Sequence, residues 1–320
     1  MAKKLTRMAI AYDFDGTLAP GNMQEHSFIP QLGLSVPNFW TEVKANASKQ
    51  DMDEILAYMQ MMLKKAAERN IPVRLSDIRN HGKDITFFPG VETWFGRLNT
   101  YAREKGIKLE HYIISSGLRE MIDGTRIGKE FTYVFASGFS YNANNVAEWP
   151  ALAVNYTNKT QYLFRINKGI QNSYDNKTIN QFIPGEKRPI PFSNIAYIGD
   201  GETDIPCMKM LKYQGGTSVA VYNASKRKTK SRRSAKEIAE ELIEHGRADY
   251  AFPADYTDGS RLDALIKGLI DRVAVNASIQ GISSGNGSVR SANATTASFD
   301  EAGAVEEQSA PDERALPAAN

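Results

Sequence analysis

Apolar residues follow two rhythms along the chain. Some come as short unbroken runs that stop at polar or glycine turns. Others recur every three or four residues over longer stretches. The runs at 8–14, 111–114 and 194–198 read as buried strands, each closed by a turn: Asp-Gly after the first, Ser115-Ser116-Gly117 after the second, Gly199-Asp200-Gly201 after the third. Weaker strand patterns lie at 133–136, 162–166, 218–222 and 250–252. Helical spacing marks 91–105, 234–245 and 260–273. Strands alternating with helices predict an α/β fold with a mostly parallel sheet flanked by helices. Ligands of such sheets sit at the carboxyl ends of the strands, where all three turns lie.

Between Pro20 and Phe88 the rhythm is helical throughout. The stretch 50–70 places Ile55, Met59, Met62 and Leu63 on one face, with acidic residues at its start and Lys64, Lys65 and Arg69 at its end. That charge order suits a helix dipole. A second helix is expected at 36–47. Pro89-Gly90 marks the return to the sheet. The predicted organisation is a core of 1–20 and 88–275, with a helical insert at 21–87. The methionines of the insert (Met59, Met61, Met62) read as ordinary packing. From 276 to 320 the chain turns to Ser, Ala, Asn and Gly, with few large apolar residues, and is expected to form a disordered tail.

Composition narrows the function class. Of 320 residues, 42% are hydrophobic and 24% charged, enough to build a real core. Lys and Arg total 39 against 37 Asp and Glu, so no chain-wide basic field points to nucleic acid. The basic run in 226–236 is followed at once by Glu237, Glu240, Glu241 and Glu244, and reads as a solvated loop. No apolar run has the length of a membrane span. A single cysteine, Cys207, suits a reducing compartment, and a cytoplasmic location is expected. The four histidines have no metal-ligand spacing.

The chemistry is concentrated at the three strand ends. Asp13 and Asp15 in Asp13-Phe14-Asp15-Gly16-Thr17 stand two positions apart, which on a strand puts both on one face. Two close carboxylates need a cation or a shared proton. Asp200 and Asp204, in Gly199-Asp200-Gly201-Glu202-Thr203-Asp204, add two more at another strand end. Oxygen-rich sets of this kind suit a hard cation such as Mg²⁺. Ser115 and Ser116 precede a helix start that could receive an anion. Lys168 offers a positive charge, and Lys159 is a second candidate for the same role.

These four pieces, DFDGT, IISSG, the lysine of INKG and GDGETD, appear in the order found in the haloacid dehalogenase (HAD) superfamily of phosphotransferases, which the chain resembles over about residues 8–272. The insert after the first strand resembles the C1-type cap of the phosphoserine phosphatase branch. The resemblance implies a Rossmann-like core and a Mg²⁺-dependent phosphatase acting on a small phosphorylated metabolite. It implies Asp13 as nucleophile and Asp15 as general acid/base, and Mg²⁺ held by Asp13, Asp200 and the Asp15 backbone carbonyl, with Asp204 orienting the metal site. Phosphoryl oxygens would be bound by Ser115, Ser116 and Lys168. A phosphomutase or phosphotransferase on the same fold is an alternative, as is a non-catalytic interaction protein. The sequence departs from the serine phosphatases where their substrate-reading glutamate falls: that position holds Asn22, and the nearest glutamate is Glu25.

Overall fold

The structure is a computed structural model that describes residues 5–225 and 234–285. Most of the basic run at 226–236, and the expected tail beyond 285, lie outside the described residues. Strands β1 (Thr6–Tyr12), β2 (Ile107–Leu118), β3 (Tyr133–Tyr141), β4 (Ala147–Leu152), β5 (Ile195–Gly199), β6 (Thr217–Tyr222) and β7 (Tyr250–Pro253) form one sheet. Their order is β4-β3-β2-β1-β5-β6-β7, and only the β3–β4 pair is antiparallel. The strand with the densest apolar run, β1, therefore lies in the middle. The strand order changes direction around it, and ligands of such sheets bind at the carboxyl ends of the strands beside that point, here β1, β2 and β5.

Four helices fill the insert: α1 (Phe28–Gln31), α2 (Val36–Gln50), α3 (Glu54–Glu68) and α4 (Leu75–His81). Among the described residues six further α-helices follow the insert: α5 (Val91–Glu104), α6 (Arg119–Gly124), α7 (Lys159–Lys168), α8 (Ile205–Tyr213), α9 (Ala235–Glu244) and α10 (Arg261–Gly285). Alternate residues of β1 explain its unbroken apolar run. Met8, Ile10 and Tyr12 pack with Trp94 and Phe95 of α5, Ile266 of α10 and the insert. Ala9 and Ala11 pack on the opposite face with Leu163 of α7, Leu211 of α8 and Leu242 of α9. A strand covered on both faces has no polar side to show.

The insert is seated on the core. Met23, Phe28, Phe39, Met59, Met61 and Met62 are buried in the same apolar cluster as β1, so the methionine stripe is packing. The helix expected at 50–70 is shorter, because Asp51 adopts a left-handed backbone and Asp53 caps α3, its carboxylate accepting from the N–H groups of Ile55 and Leu56.

Two expectations need correction. The strand expected at 162–166 is the helix α7. Burial of Lys159, Tyr162, Leu163 and Ile166 has helical period, and Gly169 at φ +72° closes the helix. A short apolar run does not by itself tell strand from helix. The chain does not leave the fold at 275, since α10 continues to Gly285, its last turns exposing Val275 and Ile279. Strand β4 and helix α4 had no clear sequence signal: β4 is an edge strand that contains Pro150 and exposes Trp149. Among the described residues no helix is long and apolar enough to cross a membrane.

Candidate active site

The first site loop leaves β1 under tight control. The Asp13 N–H donates to the Ile198 carbonyl (2.9 Å), and Phe14 turns into the core. Gly16, at φ +79°, makes the turn that follows. A Cβ there would fall 2.0 Å from Asp200 Oδ2, so glycine is what lets the β1 and β5 loops meet. The Tyr256 hydroxyl donates to the Thr17 carbonyl (2.9 Å) and clamps the turn from behind.

Asp13, Asp200 and Asp204 each bring a carboxylate oxygen within 4.8 Å of the others. Asp204 stands at the start of α8, but its side chain caps nothing there. Its Oδ2 instead accepts from the Asp200 N–H (3.1 Å), and its Oδ1 from the Tyr197 hydroxyl (2.6 Å) and Lys159 Nζ (2.8 Å). Lys159 Nζ also lies 3.0 Å from Asp13 Oδ1, with the lysine only 1% exposed. The Asp15 carboxylate stands outside this trio: its Oδ1 accepts from the Met23 N–H of the insert (2.8 Å).

The charges do not balance. With all three carboxylates ionised they would face one ammonium among the described residues, leaving a net charge of −2 at a mostly buried site. Burial raises the pKa of Asp13 to about 6, against the pull of Lys159. Burial, then Asp13, raises that of Asp15 well above the usual carboxylate range. Burial, then Asp13 and Asp204, does the same to Asp200. Burial alone would deprotonate Lys159, but Asp13 and Asp204 outweigh it and hold it as an ammonium. A divalent cation fits this donor set: hard oxygens, close spacing and two uncompensated charges.

The structure brings Lys159, not Lys168, to Asp13. Lys168 is at the far end of α7, about 13 Å along the axis from Lys159, and its Nζ donates to the carbonyls of Ile179 and Gln181. Ser115 ends the regular part of β2. It is fully buried, and its Oγ accepts from the Gly117 N–H (3.0 Å) across a bulge that carries the strand on to Leu118. The half-buried Ser116 offers its carbonyl to the Tyr58 hydroxyl of α3 (2.7 Å). Gly117 lets this loop close on Asp15 and Met23: a Cβ would fall 3.0 Å from Asp15 Oδ2 and 2.1 Å from Met23 Cε. Asn22 and Glu25 are tied to each other, Asn22 Nδ2 donating to Glu25 Oε1 (2.7 Å), which also accepts from Trp40 Nε1 (2.8 Å). Tyr197 and Tyr58 were not singled out from the sequence. A tyrosine inside an apolar run gives no sign that its hydroxyl will reach a carboxylate.

Residues 10–209 match the family model described as haloacid dehalogenase-like hydrolase. A Borreliella burgdorferi protein described as "Uncharacterized protein" is 30% identical over 285 residues, spanning 80% of this chain and 93% of its own length. A HAD family hydrolase from Salmonella enterica subsp. enterica serovar Typhi superposes with a TM-score of 0.52 at 17% identity, covering 83% of this chain and 72% of the other. A probable phosphoserine phosphatase from Vibrio cholerae gives 0.51 at 13% identity, covering 86% and 67%. At these identities the likeness to solved structures is one of fold.

Proposed function

The chain belongs to the haloacid dehalogenase-like hydrolase family, and on that premise we propose that it is a Mg²⁺-dependent phosphatase that hydrolyses a small phosphomonoester through a phosphoaspartate on Asp13. The observation that carries this reading is Lys159 held between Asp13 and Asp204 beside Asp200, a charge-deficient cage at the carboxyl end of the central strand.

Asp13, Asp200 and Asp204 would hold the metal with the Asp15 carbonyl, and the bound ion would supply the positive charge that lets a carboxylate approach a phosphate dianion. Lys159 fixes Asp13 through Oδ1, which leaves Oδ2 to form the bond to phosphorus. As the P–O bond to the alcohol breaks, the leaving oxygen takes a proton from Asp15, whose protonated form burial favours. Asp15 then takes a proton from water, whose oxygen attacks phosphorus. The bond to Asp13 breaks, releasing inorganic phosphate. Ser115 and the Ser116–Gly117 bulge would receive the phosphoryl oxygens, and the insert would exclude water during the first step.

The test is inorganic phosphate release from p-nitrophenyl phosphate with Mg²⁺. Turnover is expected to stop on chelation and to fall by about 10³-fold or more in Asp13→Asn. Metal-independent turnover, or an Asp13→Asn enzyme at near-normal rate, contradicts the reading.

A further inference from the structure

Asp204 is the most enclosed member of the acidic cage. Its side chain is fully buried, and Gly199 passes so close that a Cβ there would fall 2.4 Å from Asp204 Oδ2. Three donors reach the carboxylate: the Asp200 N–H at Oδ2, and Lys159 Nζ and the Tyr197 hydroxyl at Oδ1. They are not equivalent. Lys159 is shared with Asp13, and the Asp200 N–H belongs to the turn that must place Asp200 itself. Tyr197 is carried by the sheet. It lies in β5, in register with Ala11 of β1 on one side and Ser218 of β6 on the other. Its fully buried ring packs in the apolar layer of Leu163 of α7 and Met208 and Leu211 of α8. A packed phenol on a central strand places its hydroxyl more firmly than a turn or a flexible side chain can. From it a continuous chain of polar contacts runs to the reacting residue: Tyr197 to Asp204 (2.6 Å), Asp204 to Lys159 (2.8 Å), Lys159 to Asp13 (3.0 Å).

We propose that Tyr197 is a positioning residue, whose hydroxyl acts through Asp204 to hold Lys159 against Asp13 and to keep the three carboxylates at the spacing that suits a divalent ion. The inference rests on the phosphatase reading of the same site. Without the hydroxyl, Asp204 Oδ1 keeps Lys159 as its remaining donor. The carboxylate is then free to turn, and the ammonium it shares with Asp13 turns with it. Groups that stand behind metal ligands act in this way, on ion affinity and on the chemical step more than on substrate capture. A second tyrosine in the same apolar layer separates this role from a merely structural one. Tyr112 is also buried, and its hydroxyl also donates to a buried carboxylate, Glu110 Oε2 (2.7 Å). Glu110, however, pairs in register with Ala9, four residues before Asp13, and takes no part in the cage.

The test sets Tyr197→Phe beside Tyr112→Phe. Mg²⁺ affinity is measured by isothermal titration calorimetry without substrate, and kcat and KM with p-nitrophenyl phosphate at saturating Mg²⁺. Tyr197→Phe is expected to weaken Mg²⁺ binding by about ten-fold and to lower kcat by about ten-fold, the scale for a group behind a metal ligand, with KM within about three-fold. Tyr112→Phe is expected to leave Mg²⁺ affinity and kcat within about two-fold of native, since it removes a buried hydroxyl that does not touch the cage. Tyr197→4-fluorophenylalanine, which fills the place of the hydroxyl without donating, gives the same comparison if Tyr197→Phe folds poorly. Mg²⁺ affinity or kcat within about two-fold of native after loss of the Tyr197 hydroxyl overturns the inference and leaves the phosphatase reading standing. Equal losses in Tyr112→Phe do the same. A native protein that neither binds Mg²⁺ nor hydrolyses p-nitrophenyl phosphate removes both.

Discussion

At the scale of single residues, the site turns on which lysine reaches Asp13. Both candidates lie on α7, but a helix advances about 1.5 Å per residue, so its two ends cannot serve one point. Lys159, at the inward end, bridges Asp13 and Asp204, and Lys168 braces a loop through backbone carbonyls. Lys159→Met is expected to lower phosphate release by about 10²-fold or more, since it removes a buried charge next to the reacting oxygen, and Lys168→Met to stay within about two-fold. Comparable losses in the two variants would reverse the assignment. That Asp13 and Asp200 would come together was legible because each stands near a glycine turn at the end of an apolar run; Asp204, at the start of α8, joins them, while the Asp15 carboxylate stands apart. The lysine was legible only as a choice between Lys168 and Lys159, because the run 162–166 reads equally as strand or helix, and only the helical reading turns position 159 inward.

At the scale of elements, the insert and the catalytic core are tied at both ends of one residue. Asp53 caps α3 with Oδ1 and accepts from Asn155 Nδ2 with Oδ2 (2.6 Å). Asn155 in turn starts α7, its carbonyl taking the Lys159 N–H (3.0 Å) and its side chain taking those of Thr157 and Asn158. The cap of the insert's main helix thus also steadies the turn that aims Lys159. Asp53→Ala is expected to destabilise the protein by about 1–2 kcal/mol and to lower kcat as well, with Asp53→Asn restoring most of the stability. Thermal unfolding and steady-state rates on the two variants check this; a stability loss with kcat unchanged would limit Asp53 to its capping role. No sequence rule connects positions 53 and 155, so this tie could be found only in three dimensions.

At the scale of the whole molecule, the mostly parallel sheet was legible from three apolar runs that end in turns, because a strand buried on both faces must be continuous in apolar residues, whereas the strand order came only from the structure. The antiparallel edge and α4 were not, since neither buries enough to leave a pattern. The core also contains a polar thread that sets acid sensitivity. Trp94 Nε1 donates to the Tyr12 hydroxyl (2.9 Å), which pairs with His111 Nδ1 (3.0 Å), while His111 Nε2 faces Asn99 Oδ1 (3.1 Å). Burial lowers the His111 pKa from 6.5 to about 3. A depressed folded-state value means the unfolded chain binds the proton first. Stability is therefore full above pH 6.5 and falls as pH drops toward 3, at up to about 1.4 kcal/mol per pH unit from this residue. Denaturant titrations from pH 7.5 to 5 should show a steeper loss in the native protein than in His111→Gln; equal slopes would mean that His111 is already charged in the fold.

The central claim is that the acidic cage delivers Asp13 to a phosphorus atom, and acid-quenching the enzyme during turnover of p-nitrophenyl phosphate with Mg²⁺, followed by mass spectrometric mapping, tests it most directly. A phosphoryl group on the peptide containing Asp13, absent from Asp13→Asn, is the expected result. A phosphoryl group on another side chain, or steady turnover with no covalent phosphoenzyme even when Asp15→Asn blocks its hydrolysis, would contradict it.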